Sequence, residues 1–379
     1  MSMSVQQLDL PEQFAPPVDE PFDMGQLRDA PSLNDIDTEK WDPVFNDPGH
    51  LVHVLITVTG DTHATVEREV AAIDVIFEVG TSQASLTEVK RIRGDVRPGD
   101  QAGHEHFGYL DGISNPPIEG VPPTPNCVPP FPRTFVLFSE NDPGPVWARD
   151  GSFLVFRYLF QLVPEFDDYL LENAHPGMPK ELGSKLLGAK LVGRWKSGAP
   201  IDLSPTEDNP DLALRNDFLY EGPGNERRCP LGAHIRKTYP RDDTTTPSPI
   251  LRRGIPFGPE VTPEERAAKK TLHDRGLLFV CYQRSIASGF RTVQRGWAND
   301  TNFPKDQTGF DPIIGRCGAG RIRTMRGTHP DDMAKEISFP TEFVVPRGGE
   351  YFFSPSIRAL GEVIALSSDP PRSSGCCFA

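Results

Sequence analysis

Apolar residues run along the chain in short blocks, and the spacing within each block predicts an element. HLVHVLITVTG (50–60) is a β-branched run and predicts a strand. In THATVEREVAAIDVIFEVG (62–80), Val66, Val70, Ile73, Ile76 and Phe77 recur at helical spacing. Leu86 to Val96 can supply another strand. Proline-rich loops follow at 115–132 and 141–145. SFLVFRYLFQL (152–162) has the bulky apolar density of a buried strand, and helical segments come near 164–175 and 178–195. GLLFVCYQRSI (276–286) predicts a central strand, with Cys281 a buried thiol. SGFRTVQRGWAND (288–300) predicts a helix. EFVVPRGGEYFFSPS (342–356) predicts a hairpin turning at Gly348-Gly349. Strands and helices interleave in both halves without the regular alternation of a doubly wound sheet. The expectation is an α+β protein with antiparallel sheets in two similar halves. Residues 1–49 read as an irregular arm, and the polar, glycine-rich stretch from Ser197 to Arg228 as the boundary.

Composition narrows the function. The 379 residues suffice for two domains with full cores. With 39 Lys and Arg against 53 Asp and Glu the net charge is −14, which argues against nucleic acid or an anionic membrane as the main partner. No apolar run approaches the roughly 20 residues of a membrane span. The N-terminus shows neither a basic nor an apolar signal region, which favours a cytoplasmic location, with a secreted mature form as the alternative. The 34 glycines and 40 prolines predict long ordered loops. No C-x-x-C pair supports a zinc or thioredoxin site. GSKLLGAK (183–190) lacks the P-loop lysine, and GRCGAG (315–320) lacks the dinucleotide order. The terminal Cys376-Cys377-Phe378-Ala379 reads either as a prenylation signal on Cys376 or as a tail with two free thiols.

Three segments can carry chemistry. In EHFGYLDGISNPP (105–117), Asp111-Gly112 is a turn dipeptide set among Phe107, Tyr109, Leu110 and Ile113. Either it is an ordinary turn, or its carboxylate points into an apolar pocket where it can exchange protons. In CPLGAHIRKTYPR (229–241), His234 is either a structural residue beside a basic cluster or a metal ligand. In the second case Gly232 and Ala233 leave room for a flat macrocycle whose carboxylates Arg236 and Arg241 would meet. In ILRRGIPFGPE (250–260), Arg252 and Arg253 are either surface charges or aimed inward by the stiff loop after them. His104 and His106 flank Glu105 but lack a further ligand at suitable spacing, so they read as solvated loop residues rather than a metal pair.

Taken in order, FGYLDGISNP, VGRWKSGAP (192–200), CPLGAHIRK, RRGIPFGP, GLLFVCYQ and GGEYFFSPS resemble the dye-decolourising peroxidases, most closely their fungal branch, over about residues 50–365. The resemblance implies haem b held by two ferredoxin-like α+β domains: residues 50–200 carrying the aspartate loop and 201–365 binding haem, with a flexible tail at 366–379. It implies that His234 is the axial iron ligand, Asp111 the distal acid and Arg252 the distal arginine. Leu277 and Phe279 would cover the distal face, Arg241 and Arg236 would meet the propionates, and Asp311 would accept the His234 Nδ1 proton. Tyr109 stands where the family often has Phe. The implied activity is hydrogen peroxide reduction through a ferryl intermediate, with oxidation of dyes, phenols or other aromatic donors. It should persist in acid, because a carboxylate (reference pKa about 3.9) stays ionised where imidazole (about 6.5) does not. Trp297, on the polar helix 288–300, is the candidate surface aromatic that relays electrons from bulky donors, with a half-buried packing residue as the alternative. A haem-handling protein without peroxide chemistry is the alternative, and it has no use for Asp111 or Arg252. An oligomer is compatible with all of this.

Overall fold

The computed structural model describes residues 2–3, 17–49, 51–121, 129–241 and 248–361. Cys127, the Cys376 prenylation signal, the tail 366–379 and most of the first sixteen residues lie outside them. The strands are β1 (Ser2–Met3), β2 (Val54–Leu55), β3 (Ser152–Gln161), β4 (Leu251–Arg252), β5 (Ile255–Phe257), β6 (Gly276–Gln283), β7 (Arg323–Met325), β8 (Ile337–Phe339) and β9 (Val344–Ser354). Seven form one antiparallel sheet in the order β2-β1-β9-β3-β6-β4, with β5 also paired to β6; β7 and β8 make a small second sheet. The helices that matter for the site are α1 (Glu20–Met24), α2 (Gln26–Asp29), α3 (His63–Ile76), α4 (Val163–Glu172), α5 (Lys180–Val192), α6 (Asn225–Arg228), α7 (His234–Lys237) and a π-helix over Thr292–Ala298.

The α+β class with antiparallel sheets is as expected, and so are β3, α3, α4, α5 and β6. From β3 onward the order strand, helix pair, strand, strand, helix, strand is that of a ferredoxin-like unit. This unit crosses the boundary expected at 200/201: β3 lies before it, yet pairs along its length with β6 and β9 after it. The polar stretch after Ser197 is therefore a long connection inside the unit, and it delivers α7 to the site.

Several local expectations need correcting. Of the run 50–60, only Val54–Leu55 is strand, and 86–96 is irregular. The segment 342–356 is no hairpin but the single long strand β9, with an irregularity in its pairing opposite Arg157 and Leu159. The two glycines serve close approach: a Cβ on Gly348 would collide with Phe45, and one on Gly349 with the Gln26 side chain and the Phe156 carbonyl. The arm does pack over the fold, Phe22 and Leu33 joining the core on one face of the sheet and Ala30, Trp41 and Phe45 that on the other.

Period-two alternation divides β3 into two functions. Leu154, Phe156 and Tyr158 join Leu278, Val280 and Phe352 in an apolar core. Arg157, Leu159 and Gln161 face the other way and line a cavity together with their register neighbours Phe279 and Leu277.

On β9, Glu350 is buried, its Oε1 accepting from Gln26 N (2.9 Å) and Tyr351 N (2.8 Å). Burial pushes its carboxyl up to about 7 despite those bonds. Folding therefore takes up a proton here, so this residue's contribution to stability is full below about pH 4.5 and is lost as pH rises to 7. Glu350→Gln should flatten that slope, by about 3 kcal/mol between pH 4.5 and 8 in denaturant unfolding; parallel wild-type and variant slopes would exclude it.

Candidate active site

Asp111 is carried on a tight loop. Asp111 N donates to Gly103 O (2.9 Å), Glu105 N to Tyr109 O (3.1 Å), and Gly108 N to Glu105 O (2.8 Å). The Asp111 side chain, 30% exposed, accepts at Oδ1 from Arg252 Nη1 at 2.7 Å and from Gly112 N at 2.6 Å. Burial alone would raise its pKa, but the Arg252 charge and hydrogen bond, together with the Gly112 N–H and the His234 charge, outweigh burial and hold the carboxyl below its ordinary value. Arg252 lies on β4, 141 residues away in the chain. Asn115 fastens the two segments: its Nδ2 donates to Arg252 O (3.2 Å) and its Oδ1 accepts from Arg252 N (3.1 Å).

A second cluster forms around His234, the first residue of α7. Its Nδ1 lies 2.9 Å from Asp311 Oδ2. Asp311 is fully buried, and its Oδ1 accepts from the backbone of Ile313 (2.8 Å) and Ile314 (2.9 Å). Burial would raise the Asp311 carboxyl, yet the neighbouring His234 and these bonds bring it below the ordinary value. An ionised carboxylate can only accept, so the imidazole proton sits on Nδ1 and Nε2 keeps a free lone pair.

Asp111 and Arg252 of the first cluster and His234 of the second line one cavity. Asp111, Arg252, His234, Leu277 and Phe279 thus meet as anticipated. Arg236 and Arg241 do not reach the lining. Arg236 donates to Cys229 O (2.6 Å) and stacks over Tyr220. Arg241 binds the carbonyls of Asn216 and Phe218 and the Asn216 side chain. The arginines on the wall are Arg157, Arg194 and Arg316, besides Arg252. Arg194 is buried and makes no ion pair among the described residues; it donates to Gly198 O, Arg215 O, Ser114 Oγ and Asn216 Oδ1, the atom Arg241 also uses. Burial, then the neighbouring Arg241, pulls it down to about 10. Asp35 of the arm, also buried, pairs with Arg157 (2.7 Å) and Arg316 (2.9 Å).

Trp297 is buried at 7% exposure and stacks on Phe303 with centroids 5.0 Å apart. It neither lines the cavity nor reaches the surface, so the expected surface relay is not where the helical pattern placed it. His106 is a buried residue joined to Phe257 O (2.8 Å) rather than a solvated one. The described residues hold no group of three metal-binding side chains. The Tyr109 hydroxyl packs against Gly188 on α5, where any Cβ would collide with it.

Comparison with known proteins agrees with this architecture. The family model described as the DyP dimeric alpha+beta barrel domain matches residues 2–98, and that of the Dyp-type peroxidase C-terminal region matches 105–308. Dye-decolorizing peroxidase msp1 of Mycetinis scorodonius is 43% identical over 377 residues, covering 91% of this chain and 72% of the relative. Dye-decolorizing peroxidase AauDyP1 of Auricularia auricula-judae is 42% identical, covering 90% and 70%. The structure of an ancestral D-type dye decolorizing peroxidase superposes with a TM-score of 0.85 at 50% identity, covering 90% of this chain and 80% of that one. Fold and cavity together define a haem-dependent peroxidase. The chain belongs to the dye-decolorizing peroxidase family.

The residues present fit such a cofactor. His234 Nε2 is the free donor for iron, Arg194 is a buried cation on the wall without an anionic partner among the described residues, and Leu277, Phe279, Ile235, Val293 and Ile314 supply apolar surface for a flat ring.

Proposed function

We propose that the cavity binds haem b and that this chain reduces hydrogen peroxide at the expense of aromatic donors, dyes among them. The observation that carries the reading is the meeting of an Asp–Arg pair and an Asp-buttressed histidine on one cavity. His234 would hold the iron through Nε2, with Arg194 as the buried cation for the carboxylates of the ring. When bound, haem supplies the iron that accepts the oxidising equivalents of peroxide and passes them to donors one electron at a time.

The protein's own part is acid–base and electrostatic. Asp111, held ionised by Arg252, takes the proton from one peroxide oxygen and returns it to the other, which departs as water. Arg252 faces the negative charge that develops as the O–O bond breaks. Asp311 fixes the His234 tautomer and makes its ring a stronger donor. Leu277 and Phe279 narrow the space beside Asp111, so peroxide enters and bulky dyes are oxidised from outside. A base held below its ordinary pKa keeps the enzyme working in acid. An absorption spectrum of haem-loaded protein, taken before and after one equivalent of peroxide, tests the reading, with the extracted cofactor compared with authentic haem b. A Soret band that peroxide shifts and a donor restores is expected. An inert spectrum would overturn the peroxide chemistry, and a modified porphyrin would overturn haem b.

A further inference from the structure

The cavity wall carries a second carboxyl for which the chemistry above has no task. Glu105 lines the cavity, and its two oxygens receive three hydrogens: Oε1 from Tyr109 N (2.8 Å), Oε2 from Phe107 N (2.8 Å) and from the Gln161 amide on β3. Its carbonyl also accepts from Gly108 N (2.8 Å) and Arg97 Nη1 (2.6 Å). The loop ending in Asp111 is therefore wound around this one side chain.

The charges around it bear on its proton. The Gln161 N–H, like the two backbone N–H groups, favours the anion, but among the described residues no cation pairs with the Glu105 carboxyl. Arg97, whose charge does act on Glu105, spends Nε and Nη2 on Glu260 (2.8 and 2.6 Å) and Nη1 on the Glu105 carbonyl rather than its carboxyl; Arg157 is paired with Asp35, and Arg252 with Asp111. Lys196 lies over the Tyr109 ring, 5.8 Å from its centre. The remaining neighbour of note is Asp111 itself, a like charge. Burial first, and Asp111 after it, raise the Glu105 carboxyl, and the three N–H bonds offset this only in part.

We propose that Glu105 is a positioning residue for Asp111 that works in its neutral form, and that its ionisation sets the alkaline limit of turnover. This rests on Asp111 being the proton carrier. While Glu105 is neutral, the Arg252 charge acts on Asp111 without opposition, and Asp111 releases the proton it has taken. Once Glu105 loses its proton to solvent, its negative charge offsets Arg252, and Asp111 keeps the proton that the departing oxygen needs. The two carboxyls, six residues apart on one loop, would thus bound the active pH range from either side.

The test compares pH–rate profiles of haem-loaded wild type and Glu105→Gln, with infrared difference spectra across the alkaline limit. In wild type, the carbonyl band of a protonated carboxylic acid should vanish as turnover falls. Glu105→Gln should lack the limb and the Glu105 part of the band, leaving the band of Glu350, which Glu350→Gln identifies. One pH unit above the wild-type midpoint its turnover, relative to its own plateau, should then exceed wild type by about tenfold. The acid limb, which belongs to Asp111, should stay in place. An alkaline limb unmoved in Glu105→Gln, or no such band in wild type, would overturn the proposal. If Glu105→Gln does not fold, Gln161→Leu asks the same question: an apolar neighbour disfavours the anion further, so the limb should move to higher pH, and an unmoved limb overturns the idea. Failure of Asp111 as proton carrier would show separately, as full turnover in Asp111→Asn, while the infrared band still reports on Glu105.

Discussion

Asp111→Asn lowers peroxide turnover by about 10²- to 10⁴-fold while haem stays bound. Asparagine has nearly the same shape, and its Oδ1 can still accept from Arg252 Nη1 and Gly112 N, the two bonds that orient the native side chain. The loop keeps its course as well, because its main-chain bonds do not involve the carboxylate. What disappears is the base. Haem retention depends on His234 and Asp311, which share no hydrogen bond with residue 111. Stopped-flow mixing with peroxide, beside the Soret absorbance of the resting protein, measures both halves of this expectation. A variant that turned over normally with haem in place would remove Asp111 from the reaction and restore the haem-handling alternative, for which the comparisons offer no support.

Arg252→Leu produces the next largest effect, a loss of about 10²–10³ in rate accompanied by movement of the acid limb to higher pH. The rate falls because the charge facing the breaking O–O bond is gone. The limb moves because burial raises the Asp111 carboxyl while Arg252, followed by the Gly112 N–H and the His234 charge, lowers it. With leucine the Arg252 contribution is gone and less opposes the rise, so Asp111 binds its proton at a higher pH and turnover fails earlier on acidification. The Asn115 clamp grips the backbone of residue 252 and survives the substitution, so β4 stays in place. A pH–rate profile from acid to neutral distinguishes this from mere disruption, which would lower the curve without displacing its limb. Together, Arg252→Leu and Glu105→Gln should act on opposite ends of the pH range.

The apolar runs that became β3, β6, α4 and α5 were legible because burial on the sheet and packing of helix faces impose periods of 2 and 3.6. Segments whose conformation depends on distant partners were not. Residues 86–96 have a strand-like composition but meet β5 at its middle, where Asp95 N donates to Pro256 O (2.8 Å), and form no ladder with it; 342–356 reads as a hairpin because Gly-Gly suggests a turn. Those glycines instead make room for Phe45 and Gln26, some three hundred residues earlier. Trp297 was misplaced because its segment is a π-helix, whose wider turn takes side chains off the faces that a 3.6-residue period assigns. In the site, Asp111, Arg252 and His234 came from their ordered motifs; no spacing rule joins residues 141 apart. Glu105 was passed over as a flank of two histidines, although a carboxylate two and four residues before backbone N–H groups is a recognisable loop organiser. Arg157 carried a readable signal too, a cation in the middle of the apolar run FLVFRYLF, but it was counted as part of the strand's bulk. Arg236 and Arg241 were chosen for nearness to His234 in the chain, whereas the arginines on the cavity wall come from elsewhere.

The arm's Asp35 touches neither catalytic cluster, yet it is the shared counter-charge of two guanidiniums on the cavity wall, Arg157 and Arg316. A peripheral strap is thereby wired into the electrostatics of the reaction chamber. Proteolytic nicking ahead of the first long strand would leave Asp111, Arg252, His234 and Asp311 intact. It would nonetheless change the field in which they operate, so careless handling of the N-terminus could masquerade as a defect in catalysis.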